Sequence, residues 1–322
     1  MTLKTALICG ISGQDGAYLA QHLLARGYAV CGTSRDAQVS SFRNLVRLGI
    51  KEQVKLESMS LTDFRSVLQV ITKVEPDEIY NLAGQSSVGL SFQLPVETLE
   101  SIAIGTLNLL EAIRFTGAKI AFYSAGSSEC FGDTGDLAAK ETTPFRPLSP
   151  YATAKATAFW TVANYRQAYG LFACSGILFN HDSPLRPARF VTQKIVSAVS
   201  RIASGSVEQL HLGNLSIQRD WGWAPDYVDA MHRMLLQPEP DDYVIATGAS
   251  YSLKAFVEQA FASIGIDWRD RVVTDASLLR PTDIAISSAD PSKASDRLGW
   301  QARYTMPDIV RMMVSAWQQN SA

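Results

Sequence analysis

A strand, a glycine-rich turn and a helix follow one another at the beginning of the chain, and this order constrains the fold more than any other feature. Residues 5–9 (TALIC) are a continuous apolar run, typical of a strand buried on both faces. Gly10, Gly13 and Gly16 mark the turn in a GxxGxxG pattern, and residues 17–26 are amphipathic. Glycines at this spacing permit a tight turn and let backbone N–H groups face a pyrophosphate at the helix N-terminus. The segment therefore predicts a dinucleotide-binding turn.

Strands and helices alternate up to residue 180, and beyond it the pattern loosens. The first part contains predicted strands at 5–9, 29–33, 54–56, 78–83, 119–124 and 172–179, with predicted helices at 17–26, 61–74, 97–115 and from Tyr151. The second part contains predicted helices at 189–205, 226–236, 253–264 and 306–318, and predicted strands at 210–214 and 242–246. This order predicts an α/β fold: a Rossmann-type doubly wound parallel sheet with a smaller α/β substrate-binding lobe built from C-terminal insertions. Residues 1–180 form the cofactor domain in this prediction, 220–248 return to it, and 181–322 form mainly the lobe.

Composition excludes several classes of function. The 322 residues carry a net charge of −2 without a long basic run, which argues against nucleic acid as a partner. The apolar runs are too short for a membrane span, and the first residues lead directly into a strand pattern without a signal peptide. The four cysteines and four histidines are scattered without metal-ligand spacing. We expect a cytoplasmic protein with reduced thiols and no structural metal.

The end of the second predicted strand bears on the choice between NAD and NADP. An acid there holds the ribose 2′-hydroxyl of NAD, whereas an arginine suits the 2′-phosphate of NADP. Asp36 follows Gly16 by 20 residues, so the spacing alone leaves both choices open. Because Arg35 has no acid before it and Arg43 and Arg47 follow, the sequence favours NADP.

Tyr151 and Lys155 are four residues apart at the start of a predicted helix, so they lie on one face. An ammonium beside a phenol favours the phenolate and would lower the pKa of Tyr151. Pro150 fits the helix start, which places Tyr151 near the positive end of the helix dipole. The pair predicts a base for a sugar hydroxyl proton.

Polar residues follow two strands of the predicted sheet at their C-terminal ends. These are residues 81–86 (NLAGQS) and 126–129 (GSSE). Ligands bind open parallel sheets at this edge. We therefore expect both loops to meet the glycine-rich turn and the Tyr151 helix at one site.

These motifs together resemble the extended short-chain dehydrogenases/reductases, and more narrowly the GDP-mannose 4,6-dehydratases along nearly the full length. The similarity is densest at 13–19 (GQDGAYL), 141–145 (ETTPF), 149–152 (SPYA), 176–181 (GILFNH), 190–192 (FVT), 212–214 (LGN), 219–222 (RDWG) and 280–281 (RP). The resemblance implies a lyase that forms GDP-4-keto-6-deoxymannose. In such a reaction C4 is oxidised, water is lost across C5–C6, and hydride returns to C6, so that tightly bound NADP is regenerated.

The catalytic group implied by the resemblance is Ser127, Glu129, Tyr151 and Lys155. Tyr151, aided by Lys155 and the Ser127 hydroxyl, would remove the proton of the sugar 4-hydroxyl. The C4 ketone acidifies the C5 proton, which Glu129 would take and then return to the departing 6-hydroxyl. A simple epimerase or reductase has no need of this acid, so Glu129 is the discriminating residue.

The resemblance also implies two sets of binding residues, a homodimer or homotetramer, and no metal. The cofactor set is Gly10, Gly13, Gln14, Asp15, Gly16, Arg35, Leu82, Ala83, Gln85, Tyr151, Lys155, Leu178, Asn180, His181 and Arg186. The substrate set is Ser86, Ser128, Glu129, Asn180, Lys194, Leu212, Gly213, Asn214, Arg219, Arg280 and Asp283. Within the second set the resemblance implies that Arg219 and Arg280 bind the diphosphate and that Lys194, Gly213 and Asn214 lie near guanine.

Three alternatives remain open. The chain could act on another GDP-sugar, such as GDP-manno-heptose, because one pocket substitution shifts discrimination by only about 1–3 kcal/mol. It could also be a nucleotide-sugar epimerase or 4-keto reductase of the same superfamily. A catalytically silent NADP-binding sensor is the alternative outside enzymes.

Overall fold

The computed structural model describes residues 3–321. Met1 and Thr2 belong to the segment for which the sequence predicts no signal peptide, and they lie outside the described residues. Within residues 3–321 no helix is both long and apolar enough to cross a membrane.

Thirteen strands and twelve α-helices make up the described chain. The strands are β1 (Thr5–Cys9), β2 (Ala29–Ser34), β3 (Lys55–Ser58), β4 (Glu78–Asn81), β5 (Ala121–Ala125), β6 (Ala173–Leu178), β7 (Asn180–Asp182), β8 (Leu210–Leu212), β9 (Gln218–Trp223), β10 (Tyr243–Ile245), β11 (Ser250–Ser252), β12 (Val272–Thr274) and β13 (Ile286–Ser287). The helices are α1 (Gln14–Leu24), α2 (Arg43–Arg47), α3 (Phe64–Val74), α4 (Val88–Ser91), α5 (Pro95–Leu99), α6 (Gly105–Thr116), α7 (Pro150–Tyr169), α8 (Val191–Ala203), α9 (Ala224–Leu235), α10 (Leu253–Ala262), α11 (Ser292–Leu298) and α12 (Met306–Ser321). A π-helical turn (Glu100–Ile104) joins α5 to α6, so the helix predicted at 97–115 is three segments in one run.

Seven parallel strands form the main sheet, which confirms the predicted fold class. Their order is β10-β6-β5-β4-β1-β2-β3, and every neighbouring pair is parallel. Leu7 on the central strand faces Cys31 of β2 and Ile79 of β4. The sheet reverses its order between β1 and β4, and in such sheets ligands bind at this reversal, beyond the carboxyl ends of the strands.

Helices cover both faces of the main sheet. On one face α1 and α9 pack in a core that includes Leu19, Leu23 and Met231. On the other face α3, α6 and α7 pack through residues such as Val67 and Leu109. Both faces are buried, which explains the continuous apolar runs of the central strands.

A second core lies beyond the main sheet. Helices α8, α10 and α12 pack around Trp221, Phe256 and Ile309. Strands β7, β9, β11 and β13 form a small sheet, and β8 pairs with β12. The chain therefore builds the lobe in pieces, and β10 joins the main sheet beside β6 between two of these pieces.

Several predicted boundaries were wrong for local reasons. The helix predicted at 61–74 begins at Phe64, because the Asp63 side chain caps it by accepting from the Arg65 N–H. The helix predicted at 189–205 begins at Val191, because Phe190 is still extended. The sequence analysis missed the lobe strands β7, β9, β11, β12 and β13. Each of these short strands contains polar side chains, so none shows the continuous apolar run of a strand buried on both faces.

Candidate active site

The glycine-rich turn joins β1 to α1, and two of its glycines have no room for a side chain. Gly10 has φ +82°, and a Cβ there would lie 2.9 Å from the Ala83 Cα. A Cβ on Gly16 would lie 2.4 Å from the Gly10 carbonyl oxygen. Gly13 is the N-cap of α1 and offers no side-chain acceptor for the first backbone N–H groups of the helix. These N–H groups therefore remain available to an anion.

The turn is fastened to β7 through Asp15 and His181. His181 Nε2 lies 2.8 Å from Asp15 Oδ2, and its Nδ1 lies 2.7 Å from the Phe179 carbonyl oxygen. Both ring nitrogens face acceptors, so the ring donates from both in its protonated form. Burial disfavours this charge, but Asp15 outweighs it and raises the pKa of His181. Burial likewise opposes ionisation of Asp15, yet His181 lowers its pKa to about 2.

Gln14 also links the turn to β7 and the residues after it. Its buried amide donates to the Asp15 carboxylate and to the His181 carbonyl oxygen, and it accepts from the Ser183 hydroxyl. Gln85 is similarly engaged within its own loop, where its amide donates to the Ser87 carbonyl oxygen at 2.8 Å. The side chains of both glutamines are thus occupied by protein contacts.

Ser127 and Glu129 follow β5 in a tight 3₁₀ turn (Ser128–Phe131). The Ser127 hydroxyl caps this turn by accepting from the Glu129 N–H at 3.3 Å, and Ser127 and Ser128 are both buried. This cap fixes the direction in which the chain leaves the sheet. The loop therefore holds Glu129 at the carboxyl edge of the main sheet, as predicted for strand-end polar residues.

Helix α7 presents Tyr151 and Lys155 to the same place. Ser149 caps the helix by accepting from the Ala152 N–H at 3.1 Å, and Pro150 is its first residue. Lys155 Nζ lies 5.8 Å from the centre of the Tyr151 ring. The two side chains share one face of the first turns, as the spacing predicts.

The prediction of a lowered pKa for Tyr151 was wrong for this structure. Desolvation in the cleft raises the pKa of Tyr151, and the Ser127 side chain only partly opposes it. Desolvation also lowers the pKa of Lys155, to about 8. Relative to water, the surrounding protein therefore shifts each residue toward its neutral form, an effect that residue spacing does not reveal.

Glu129 lies within the field of two arginines and one further carboxylate. Burial raises its pKa, although Arg219 and Arg280 oppose this and Asp283 reinforces it. Arg219 is only 4% exposed and donates from Nη2 to Asp283 Oδ1 at 3.2 Å. The group resists ionisation more than a solvated glutamate, which suits a carboxyl that must both accept and donate a proton.

A cleft of about 710 Å³ brings most of the predicted site residues together. Those lining it are Asp15, Leu82, Ser86, Ser127, Ser128, Glu129, Tyr151, Lys155, Leu178, Asn180, His181, Arg186, Lys194, Leu212, Gly213, Asn214, Arg219, Arg280 and Asp283. Outside this lining, Gly10, Gly13, Gln14 and Gly16 lie at the adjoining turn, and Ala83 lies after β4 against Gly10. Arg35 is exposed just beyond β2, and Gln85 lies in the loop after β4.

Sequence reasoning missed several cleft residues. Arg189 donates from Nη2 to the Ser86 hydroxyl at 3.2 Å across 103 positions of sequence. Phe190 is a second missed residue of the cleft, and its ring centre lies 3.7 Å from the guanidinium of the predicted Arg186. The position of Arg189 next to the 190–192 motif was a signal in the sequence, but only the fold reveals its contact with Ser86.

Among residues 3–321 no group of three or more histidine, cysteine, aspartate or glutamate side chains could hold a metal ion. The turn, in contrast, fits a dinucleotide, because its glycines leave space for close backbone approach and its helix start leaves N–H groups unmatched.

Comparison with known proteins agrees with this site. The model of the GDP-mannose 4,6 dehydratase family matches residues 7–313. GDP-mannose 4,6 dehydratase 1 of Arabidopsis thaliana is 45% identical over 321 residues, covering 97% of this chain and 89% of the plant protein. GDP-mannose 4,6-dehydratase of Vibrio cholerae serotype O1 is 42% identical over 350 residues, covering 98% of this chain and 94% of that protein.

A solved structure shares the fold over the whole length. UDP-glucose 4-epimerase of Thermus thermophilus, in complex with NAD, has a TM-score of 0.84 and 25% identity, covering 98% of this chain and 99% of the epimerase. The fold alone is thus common to epimerases and dehydratases. The family match and the two dehydratase relatives are narrower, and they confirm the resemblance predicted from the motifs. The chain belongs to the GDP-mannose 4,6-dehydratase family.

Proposed function

We propose that this chain is a hydro-lyase that converts GDP-mannose into GDP-4-keto-6-deoxymannose, using NADP that stays bound through each cycle. The observation that carries the proposal is the presence of Glu129 in the same cleft as Tyr151, Lys155 and Ser127. Oxidation at C4 alone needs only the last three. A carboxyl beside them supplies the acid and base that elimination of water requires.

The glycine-rich turn, Asp15 and the α7 pair are the residues proposed to hold the cofactor. When bound, the nicotinamide accepts a hydride and later returns it, so no reductant is consumed. The choice of NADP rests on Arg35, which is exposed just beyond β2, where a 2′-phosphate would lie. The epimerase with the same fold holds NAD, so this choice is a property we assign to Arg35 and not to the fold.

Tyr151 is the proposed base for the 4-hydroxyl of the sugar. Since desolvation raises its pKa, the phenol loses a proton readily only when a neighbour stabilises the charge. Lys155 is the nearby cation, and Ser127 already acts in the same direction. We propose that all three move the proton away from the 4-hydroxyl oxygen as C4 is oxidised.

Glu129 is the proposed carboxyl for the second half of the reaction. It takes the proton from C5, which the ketone at C4 has made acidic, and delivers it to the departing 6-hydroxyl. Its raised pKa helps the first of these steps, because a more basic carboxylate takes the C5 proton more readily and holds it until the hydroxyl leaves. One side chain thereby serves as base and acid in turn.

The lobe side of the cleft is proposed to bind the GDP moiety. Arg219 and Arg280 suit a diphosphate through charge-assisted hydrogen bonds. Gly213 lies against the Leu278 carbonyl oxygen, and an added Cβ would lie 3.2 Å from that oxygen, so a larger residue would crowd this wall of the cleft. Lys194 lies nearby and donates from Nζ to the His211 carbonyl oxygen at 2.7 Å.

We further propose how the rest of the chain serves this reaction. Residues 1–180 and the returning part at 220–248 would hold the cofactor, and residues 181–322 would hold mainly the nucleotide sugar. The four cysteines are buried free thiols, in keeping with a cytoplasmic enzyme. Exposed aromatic residues on α7, such as Trp160, support assembly into a homodimer or homotetramer.

The test is the mass of the product formed from GDP-mannose by purified protein without added cofactor. We expect the loss of one water molecule and no net change in absorbance from reduced nicotinamide. An unchanged mass, also with added NADP, would contradict the proposal. A panel containing GDP-manno-heptose and UDP-sugars would then distinguish a different substrate from an epimerase or a silent binder.

A further inference from the structure

Asp283 lies where two arginines of the cleft meet. Its Oδ1 accepts from Arg219 Nη2 at 3.2 Å, and Arg280 Nη1 lies 3.7 Å from the same oxygen. The backbone N–H of Ile284 also donates to this oxygen, at 3.0 Å. The backbone N–H of the next residue therefore holds the Asp283 carboxylate while this carboxylate faces both guanidinium groups.

Arg219 is held on several sides by protein atoms. Its Nη1 donates to the carbonyl oxygens of Gln218 at 2.9 Å and Ile284 at 2.8 Å, in addition to the bond from Nη2 to Asp283. A guanidinium has five N–H groups, so these three bonds leave two for a ligand. Of the three, only the bond to Asp283 involves a charged partner.

Two carboxylates and two arginines of the cleft interact electrostatically as one group. Glu129, Arg219, Arg280 and Asp283 all line the cleft. Burial is the main influence on the proton affinity of Glu129; the two arginines then favour its charged form, and Asp283 disfavours it. Burial also lowers the pKa of Arg219, while Glu129 and Asp283 oppose this. The carboxylates of Glu129 and Asp283 thus compete for one buried cation.

We propose that Asp283 is a positioning residue that orients Arg219 and limits how strongly this cation holds Glu129 in its charged form. Without Asp283 the guanidinium would lose its one charged anchor and interact more with Glu129. Glu129 would then be a weaker base and a poor holder of the C5 proton. This inference rests on the proposed function, because it assigns that proton to Glu129.

The first test measures the titration of Glu129 without turnover. The full chain, saturated with NADP and labelled with ¹³C at the glutamate carboxyl carbons, is titrated by NMR; the Glu129 signal is the one lost in Glu129→Gln. We expect Asp283→Asn to move the Glu129 midpoint down by about half to one pH unit, because it removes a like charge and frees Arg219. Asp283→Glu should keep the midpoint close to that of the unchanged protein.

A matched control removes the same charge elsewhere. Asp136→Asn alters an exposed carboxylate that lies between the 3₁₀ turn and α7 and does not line the cleft, and it should leave the midpoint unchanged. If Asp283→Asn folds poorly, Asp283→Ser is a second neutral variant with the same expected shift. An unchanged Glu129 midpoint in the folded neutral variants would overturn the proposal.

The second test uses the reaction itself. With GDP-mannose, we expect the acidic limb of the kcat profile of Asp283→Asn to move to lower pH, with kcat reduced about 3- to 10-fold. A purely structural role would reduce the folded fraction without moving the limb. If the unchanged enzyme fails to dehydrate GDP-mannose, the proposed function fails, whereas the NMR titration still decides the role of Asp283.

Discussion

Lys155 Nζ donates a 2.6 Å hydrogen bond to the carbonyl oxygen of Ala125, the last residue of β5. This bond joins the start of α7 to the end of the strand that carries the Ser127–Glu129 loop. The ammonium therefore lies between the sheet edge and the Tyr151 ring. The lysine both positions the helix and supplies the charge near the phenol.

Replacing Lys155 by methionine should remove both roles at once. Lys155→Met removes the charge and the bond to Ala125, and we expect kcat to fall about 10²–10⁴-fold, the usual range for lost acid–base assistance. Initial rates of product formation, measured by mass, check this. A loss below threefold would contradict the role. Thr157→Val on the exposed side of α7 is the control, with activity near that of the unchanged protein.

The pH dependence of the reaction should reflect Lys155 as well. Burial lowers its pKa to about 8, so the ammonium is lost as pH rises through that value. We expect kcat/KM to fall above about pH 8, because a neutral amine no longer stabilises the phenolate. Lys155→Arg should move this basic limb to higher pH, since arginine stays charged. A limb at the same pH in both proteins would assign it to another group.

Glu129→Gln should stop the elimination while leaving the ligand contacts in place. The amide keeps the shape of the side chain but can no longer take the C5 proton. We expect loss of water to slow about 10²–10⁴-fold. GDP-mannose and NADP binding, measured by calorimetry, should stay within about threefold. Exchange of the C5 proton with deuterated solvent at the normal rate in this variant would contradict the role of Glu129.

Gly16→Ala should damage the dinucleotide turn. The added Cβ would lie 2.4 Å from the Gly10 carbonyl oxygen and 2.6 Å from the Ile11 Cα, both backbone atoms that cannot move aside. We expect a loss of about 1–3 kcal/mol in the free energy of unfolding, together with weaker NADP binding. Thermal melts with and without NADP measure both. Gly89→Ala is the matched control for stability, because no heavy atom lies within 4 Å of its added Cβ.

A partly buried chain of hydrogen bonds lies outside the cleft, between α1, α9 and the start of the main sheet. His22 Nε2 lies 3.2 Å from His232 Nδ1, and His232 Nε2 lies 3.1 Å from the Tyr28 hydroxyl. Tyr28 in turn donates to Glu78 at 3.1 Å. With both imidazoles neutral, every donor along this chain meets an acceptor.

This chain predicts an acid-sensitive stability. Burial is the main cause that lowers the pKa of His22, to about 4, and it also lowers that of His232. An unfolded histidine titrates near 6.5, so between pH 6.5 and 4 the unfolded state binds more protons than the folded one. Stability should therefore fall as pH decreases through this window, with His22 accounting for on the order of 1–3 kcal/mol.

Thermal melts from pH 7 to pH 4 check the contribution of His22. His22→Gln should flatten the dependence of Tm on pH relative to the unchanged protein. His211→Gln, which removes an exposed imidazole on β8, should not flatten it. Parallel curves for the unchanged protein and His22→Gln would contradict this account.

The main sheet could be predicted because its strands are buried on both faces. The runs at 5–9 and 173–178 are almost entirely apolar, so their side chains alone predict that these strands are buried. Strand β9 could not be predicted, because Arg219 and Asp220 become buried only through partners distant in sequence. Asp220, for example, accepts from the backbone N–H groups of Thr247 and Gly248.

Some features of the site could likewise be predicted from the sequence, and others depend on the folded structure. Motif spacing placed Glu129, Tyr151 and Lys155 at one edge of the sheet, because strand ends and helix starts fix their positions. Spacing could not give the proton affinity of Tyr151, which depends on how much water the assembled cleft excludes. It could not give the contact between Arg189 and Ser86 either, because those residues meet only after folding.

The return of β10 to the edge of the main sheet has an evolutionary consequence. Because the chain leaves the sheet after β6, builds part of the lobe and comes back at Tyr243–Ile245, the two halves are interleaved along the gene. A relative with another lobe cannot donate it by a single crossover without also replacing this strand. We therefore expect new nucleotide-sugar preferences in such a chain to arise by point substitutions and loop changes within the lobe, while the interleaved strand stays in place.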